Sequence, residues 1–188
     1  TFSVSHGFYS SAQTVVLNTT TPGATIRYTL DASSPSPTSG TVLSPGQSIT
    51  VSSTTTIRAI AYRSGWISSG IETRSYLFTD DILSQSQSTP PGWPNDGAVN
   101  DSAFDYGMDP HIVNGNQSTI AASLTAIPSL SIVTDQANLT DPSTGIYVNS
   151  LRTGREWERP ASVELIDPTG AESGFEINAG LRIRGGGS

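Results

Sequence analysis

The 188-residue chain contains no cysteine, so it has neither a disulfide framework nor a cysteine-ligated zinc site nor a thiol nucleophile. Lysine is missing as well; all nine basic residues are arginines. Phosphoryl-transfer sites set a lysine on the nucleotide phosphates, so no complete kinase site is present in these residues. Charged residues make up only 13%, with a balance of −7. A nucleic-acid binder needs a basic face to displace counterions from phosphates, which this balance argues against. No apolar run approaches the ~20 residues of a membrane-spanning helix. Histidine occurs at His6 and His111, each alone in its neighbourhood, and neither reads as a zinc ligand or a catalytic base. There is no Gly-x-Ser-x-Gly nucleophile turn and no Asp-x-Asp-x-Asp-Gly calcium loop. The opening Thr1-Phe2-Ser3 has no methionine or apolar leader and reads as a mature or excised piece.

Serine and threonine fill more than a quarter of the chain, set between short β-prone runs. Residues 1–79 hold most of these runs. Ile26, Tyr28 and Leu30 alternate with Thr25, Arg27 and Thr29. Ile49 and Val51 mark another strand, and Ile57, Ala59 and Ala61 share a face opposite Arg58 and Ile60. Turn signals at Thr21-Pro22-Gly23, Pro45-Gly46 and Ser64-Gly65 separate six or seven short strands, the pattern of an immunoglobulin- or fibronectin-III-like antiparallel β-sandwich. Residues 80–126 change character. Pro90-Pro91-Gly92-Trp93-Pro94 is stiff, yet Trp93, Phe104, Tyr106 and Met108 are too apolar for a solvated tether. The expectation is an ordered, irregular connector ending in a short helix near Gln117–Thr125, capped by Asn116 or Ser118 and stopped by Pro128.

Residues 127–188 read as a second, partial β-rich unit. Leu130, Ile132 and Val133 begin it, and Gly145-Ile146-Tyr147-Val148 suggests a further strand. From Phe175 the alternation is strict: Phe175, Ile177, Ala179, Leu181 and Ile183 on one side, Glu176, Asn178, Gly180, Arg182 and Arg184 on the other. Such a strand buries its apolar side if something covers it. The whole chain is thus expected to be mainly all-β, with one short helix.

Two stretches carry family resemblances. TPGATIRYTLDASSPSPTSG with TTTIRAIAYRSGWISSGIETRSYLF, within residues 1–79, resembles the chitobiase C-terminal or fibronectin-III-associated module. That resemblance implies an accessory module standing beside catalytic or adhesive domains, without chemistry of its own. Asp31-Ala32 departs from the usual Asp-Gly and suggests an altered turn, since alanine tolerates positive φ poorly. GREWERPASVEL with INAGLRIRGGGS, within residues 127–188, resembles the start of CotH-family, spore-coat kinase-like domains. The resemblance implies that Arg184, Gly185, Gly186 and Gly187 precede a nucleotide-binding lysine and metal-binding carboxylates that these residues do not include.

The remaining candidates divide by chemistry. Trp66, Trp93 and Trp157 offer flat faces for a sugar ring or an interface. Glu156 and Glu158 flank Trp157, but on a strand they would point the same way instead of facing each other across a glycosidic bond. Asp105 with Asp109, and Asp80-Asp81, supply loop carboxylates of the kind calcium prefers. The sequence therefore points to an extracellular structural or adhesive segment of a larger bacterial surface protein, needing no cofactor. Its expected partners are neighbouring domains, other copies through β-edge pairing, or a polysaccharide. The alternatives are the N-terminal portion of a secreted CotH-like kinase and a glycan-binding accessory module.

Overall fold

The computed structural model describes residues 1–184. Ten strands follow in order: β1 (Gly7–Phe8), β2 (Gln13–Val16), β3 (Thr25–Thr29), β4 (Thr41–Leu43), β5 (Ser48–Val51), β6 (Thr55–Tyr62), β7 (Glu72–Leu77), β8 (Ser129–Val133), β9 (Arg159–Ile166) and β10 (Phe175–Leu181). The first seven make two sheets, one in the order β1-β7-β6-β3-β4 and the other β2-β5. Between them lies the main core, with Val15, Leu17, Ile26, Ile49, Val51, Ile57, Tyr76 and Phe78 all buried. The alternation of β3, β5 and β6 delivers side chains to this layer at every second residue, and β6 is buried on both faces from Ile57 to Ile60. The Tyr76 hydroxyl finds the Val4 carbonyl at 2.9 Å, and burial pushes its acidity well down from that of a free phenol.

The expectation of a mainly β chain built on a sandwich holds, with three departures. First, β1 pairs β7 in parallel, so the sandwich is not purely antiparallel. Second, four short α-helices form where one was expected: α1 (Thr79–Leu83), α2 (Pro110–Val113), α3 (Gln117–Leu124) and α4 (Ala137–Thr140). Of these, α3 is the expected one, although the Asn116 side chain makes no capping hydrogen bond. Third, Gly145–Val148 is not a strand. Its amides turn back on the preceding helix, Gly145 N donating to Asp141 O at 2.8 Å and Ile146 N to Asn138 O at 2.8 Å. A Cβ at Gly145 would collide with the Leu139 and Asp141 backbone, so the close approach selects glycine there.

The connector between the β-units is ordered by its aromatics. Trp93 stands edge-on to Tyr106 at 6.1 Å, Tyr106 stacks on Phe104, and Phe104 meets Tyr147 at 5.9 Å. The second unit is a three-stranded antiparallel sheet in the order β10-β9-β8. Its register aligns Leu130, Leu165 and Phe175 in one row and Ile132, Val163 and Ile177 in the next. Ser131, Glu164 and Glu176 share a row on the opposite face. That polar face is the one turned toward the sandwich. The apolar face is bare along its first two rows, with Ile177 51% and Leu130 56% exposed, while Ala161 at its far end is buried.

Candidate functional site

The polar face of the second sheet meets β7 of the sandwich. β1 pairs only with Tyr76 and Leu77, so upstream of them the outer edge of β7 has no neighbouring strand to accept its amides. Two glutamates from the second sheet take the strand's place. Thr73 N donates to Glu176 Oε1 at 2.8 Å, and Ser75 N donates to Glu164 Oε1 at 3.1 Å. Side-chain bonds fill the space between. Thr73 Oγ1 donates to Ser162 Oγ at 2.7 Å, and Ser75 Oγ lies 2.8 Å from Ser131 Oγ and 2.5 Å from Glu164 Oε2. Asn178 Nδ2 reaches the Ile71 carbonyl at 2.9 Å.

Glu164 and Glu176 sit directly opposite each other in the β9–β10 ladder, a position where like charges repel. Each therefore carries its own counter-group from the sandwich. Arg74 pairs with Glu176, and His6 Nδ1 lies 2.9 Å from Glu164 Oε1. A second clamp forms nearby, where Asp135 accepts from Ser34 N, from Ser34 Oγ at 2.8 Å and from Arg58 Nη1 at 3.2 Å. Arg58 is only 2% exposed. Burial lowers its pKa, and the Asp135 charge and hydrogen bond oppose that shift. Its Nη1 also holds the Ala32 carbonyl at 2.7 Å. Ala32 adopts φ 63, a left-handed conformation that alanine tolerates poorly.

His6, Glu164 and Ser75 are three residue types that also build hydrolytic triads. In a triad the imidazole stands between acid and hydroxyl. Here the carboxylate stands between, Ser75 Oγ contacts no ring nitrogen, and Glu164 is fully buried. The arrangement can bind the two units together; it cannot activate a nucleophile.

The residues singled out in the sequence do not converge on one place. Trp157 lies in a 3₁₀ turn, Arg155–Trp157, and not on a strand. The Arg152 and Arg159 guanidinium groups lie over its ring at 5.9 and 5.2 Å, so it packs as an anchor. Glu158 faces Arg182 at 3.7 Å, and Glu156 is exposed on the same turn. Trp93 belongs to the connector cluster. Trp66 stands apart on the β6–β7 loop, 64% exposed, with Arg63 over its ring at 5.0 Å. Asp109 caps α2 by accepting from His111 N at 2.8 Å, Asp105 is exposed, and Asp81 accepts from Thr54 N. Among the described residues, no group of three or more His, Asp or Glu side chains is placed to hold a metal ion. Arg184 is exposed, and the phosphate-loop candidates Gly185, Gly186 and Gly187 lie outside the described residues. Among the described residues, no helix is long and apolar enough to cross a membrane.

Sequence reasoning missed the clamp itself. Glu164, Ser75, Thr73 and Ser162 are polar residues that hydropathy assigns to the surface, and His6 and Glu164 are 158 positions apart. The one local signal was the strict alternation on β10, which sorted the residues onto two faces without saying which face was inside.

Comparison with known families matches residues 4–73 to the chitobiase/beta-hexosaminidase C-terminal domain. The matched stretch is under half of the chain and takes in β1 to β6 and the start of β7, a stretch that is thus similar to that domain in sequence. The match does not extend to the second sheet, where the CotH resemblance stands on the wording of residues 127–188 alone. No curated protein and no solved structure matches the chain.

Proposed function

We propose that this chain is a rigid, non-catalytic accessory segment of a larger extracellular bacterial protein, holding what adjoins it at a fixed orientation. The observation that carries this reading is the clamp between the units. Two glutamates cap the free edge of β7, and each has its own cationic or imidazole partner. An interface of hydrogen bonds and buried charge fixes geometry strictly, because each group left without its partner costs the full desolvation penalty. The likeness of the sandwich to an accessory C-terminal domain and the Ser/Thr-rich, weakly charged composition support the same reading. Small-angle scattering tests it: the wild-type profile fits one compact particle, and Glu164→Ala combined with Glu176→Ala widens it. An equally broad wild-type profile would defeat the reading.

The bare face of the second sheet supports a second reading, that residues 127–188 begin a CotH-like lobe whose remainder covers that face. The test is to express the natural reading frame beyond Ser188. On this reading, hydrogen exchange slows at Ile132 and Ile177 and nucleotide binding appears. Assembly through the same face in place of a lobe predicts concentration-dependent association of the isolated chain in sedimentation velocity.

A further inference from the structure

The geometry points to a binding site for a neutral saccharide chain at the end of the sandwich carrying the β6–β7 loop, with Trp66 as its stacking platform. This assignment goes beyond the spacer role and does not depend on it. Trp66 is held in place before any ligand arrives. Its amide donates to Arg63 O at 3.0 Å across a tight turn in which Gly65 takes φ 79. Ser69 N donates to Ala61 O at 2.9 Å, and Ser69 Oγ accepts from Ala61 N at 3.0 Å, closing the loop base. Arg63 lies over one face of the indole, which steadies the ring. The other face is left to solvent, as its exposure shows, and Ile67 beside it is almost wholly exposed. An aromatic ring held ready and left wet loses little conformational freedom on binding.

Two shallow clefts continue from this platform. One, of about 220 Å³, runs under Trp66, and the other, of about 200 Å³, ends at Asn18 and Glu72. Thr19, Ala61 and Ser69 line both, so the two form one trough. The trough therefore offers an aromatic plane at one end, hydroxyls in the middle, and an amide and a carboxylate at the other. Among the described residues, Trp66 Nε1, Asn18 Nδ2 and the Glu72 carboxylate have no protein hydrogen-bond partner. A pyranose presents C–H groups on its faces, which suit the negative face of an indole, and hydroxyls around its rim, which suit amide and carboxylate groups. Among the described residues Arg63 is the one arginine lining the trough, and the Glu72 carboxylate offsets its charge. A trough whose side chains carry no net positive charge favours a neutral chain over an anionic polymer or an acidic lipid surface.

Titration of the protein with cellohexaose and with the hexamer of β-1,4-linked N-acetylglucosamine, followed by tryptophan fluorescence, tests the assignment. At least one oligomer shifts the emission and binds with a dissociation constant between about 0.1 and 1 mM, the range that one stack and a few hydrogen bonds support. Trp66→Ala weakens that binding about tenfold or more, Trp66→Phe weakens it less, and Asn18→Ala weakens it several-fold. Trp93→Phe binds as the parent does. Because Trp66 is outside the core, circular dichroism and the melting temperature of Trp66→Ala stay at parental values. No spectral change with either oligomer at 10-fold above that range, or binding that survives Trp66→Ala, overturns the assignment. So does retention on neutral phosphatidylcholine vesicles that is lost in Trp66→Ala without any saccharide binding, since that would make the loop a membrane anchor.

Discussion

Replacing Glu164 by alanine probes the clamp at its most buried point. The wild-type carboxylate serves three donors: Ser75 N, Ser75 Oγ and the His6 ring. Their fates differ once it is gone. Ser75 Oγ still has Ser131 Oγ at 2.8 Å, and His6, partly exposed, returns to water. Ser75 N has no substitute, because no strand runs along that part of β7. One stranded buried amide costs ~1–3 kcal/mol, and the void left by the side chain adds to it. A total near 3 kcal/mol is expected. For a chain of this size that corresponds to a fall in melting temperature of about 6–12 °C, at roughly 2–4 °C per kcal/mol. Glu164→Gln keeps the volume and one acceptor oxygen, and is expected to lose about 1–2 kcal/mol.

Calorimetry and urea denaturation supply the numbers, and a double-mutant cycle supplies the mechanism. Ser75→Ala removes the hydroxyl's bonds to Glu164, Ser131 and Thr56 and leaves the Ser75 amide in place. Combined with Glu164→Ala, it should show a coupling of about 1 kcal/mol, as expected for residues in one network. Limited proteolysis adds a positional readout, since loosening the clamp exposes the connector around Ser84–Ser88 to cleavage first. The reasoning fails if Glu164→Ala stays within about 0.5 kcal/mol of the parent, the range of ordinary surface substitutions. It fails equally if the two substitutions add without coupling.

Three further outcomes follow from other parts of the molecule. Ala32→Gly relieves a left-handed alanine worth about 1–2 kcal/mol of strain, offset in part by glycine's greater freedom when unfolded. A net gain of about 0.5–1 kcal/mol in urea denaturation is expected, and a loss would mean the Arg58 bond to the Ala32 carbonyl depends on the methyl group. Asp141 and Asp167 have pKa values held below 3.8, the first mainly by the Thr144 and Ser143 amides, the second mainly by the Thr169 side chain and then the Glu172 amide. A depressed carboxylate stabilises the fold above its unfolded pKa and loses that contribution as pH falls through its folded pKa. Melting temperatures of Asp141→Asn and Asp167→Asn should therefore lie below the parent's at pH 7 and converge on it below pH 3.8, whereas a gap that persists at low pH would refute the assignment. On the bare sheet face, Ile132→Thr and Ile177→Thr should reduce any concentration-dependent association in sedimentation velocity while leaving the melting temperature close to the parental value.

How far the fold could be read from sequence depended on what each signal encodes. β3, β5 and β6 were legible because alternation and glycine or proline turns agree at each of them. β1 was not, as a two-residue strand carries no period, and its parallel pairing depends on where the chain returns. Gly145–Val148 misled because four apolar-leaning residues fit a strand and a buried turn equally well; the backbone contact at Gly145 decides the matter, and it is non-local. Arg58 read as an outward residue on a half-exposed strand. In the fold it is buried, its Nη1 held by the Ala32 carbonyl and by Asp135, 77 positions away. Of the three tryptophans, the position of Trp66 after Ser64-Gly65 marked it as a loop residue, while nothing local indicated that Arg152 and Arg159 would cover Trp157.

The second sheet shows why alternation was informative and still incomplete. Period-two patterning states which residues share a face, and it did so correctly for Phe175, Ile177, Ala179 and Leu181. Choosing the inner face requires knowing what the sheet meets. β7 presents unpaired amides at Thr73 and Ser75, and an apolar surface laid against them would leave both unsatisfied, at a cost comparable to what burying two or three side chains gains. Carboxylates satisfy them, so the polar face turns inward and the apolar face is left for something else. The same inversion sets a limit on assembly. The free edge of β7, the natural place for strand addition by another chain, is occupied by glutamates that accept from its amides and offer none of their own. Association between copies is thereby kept from this part of β7, which leaves the exposed rows of Leu130, Ile132, Phe175 and Ile177 and the sheet-edge strands β1, β2, β4, β5, β8 and β10. Substitutions there, not at Thr73 or Ser75, are the ones expected to alter it.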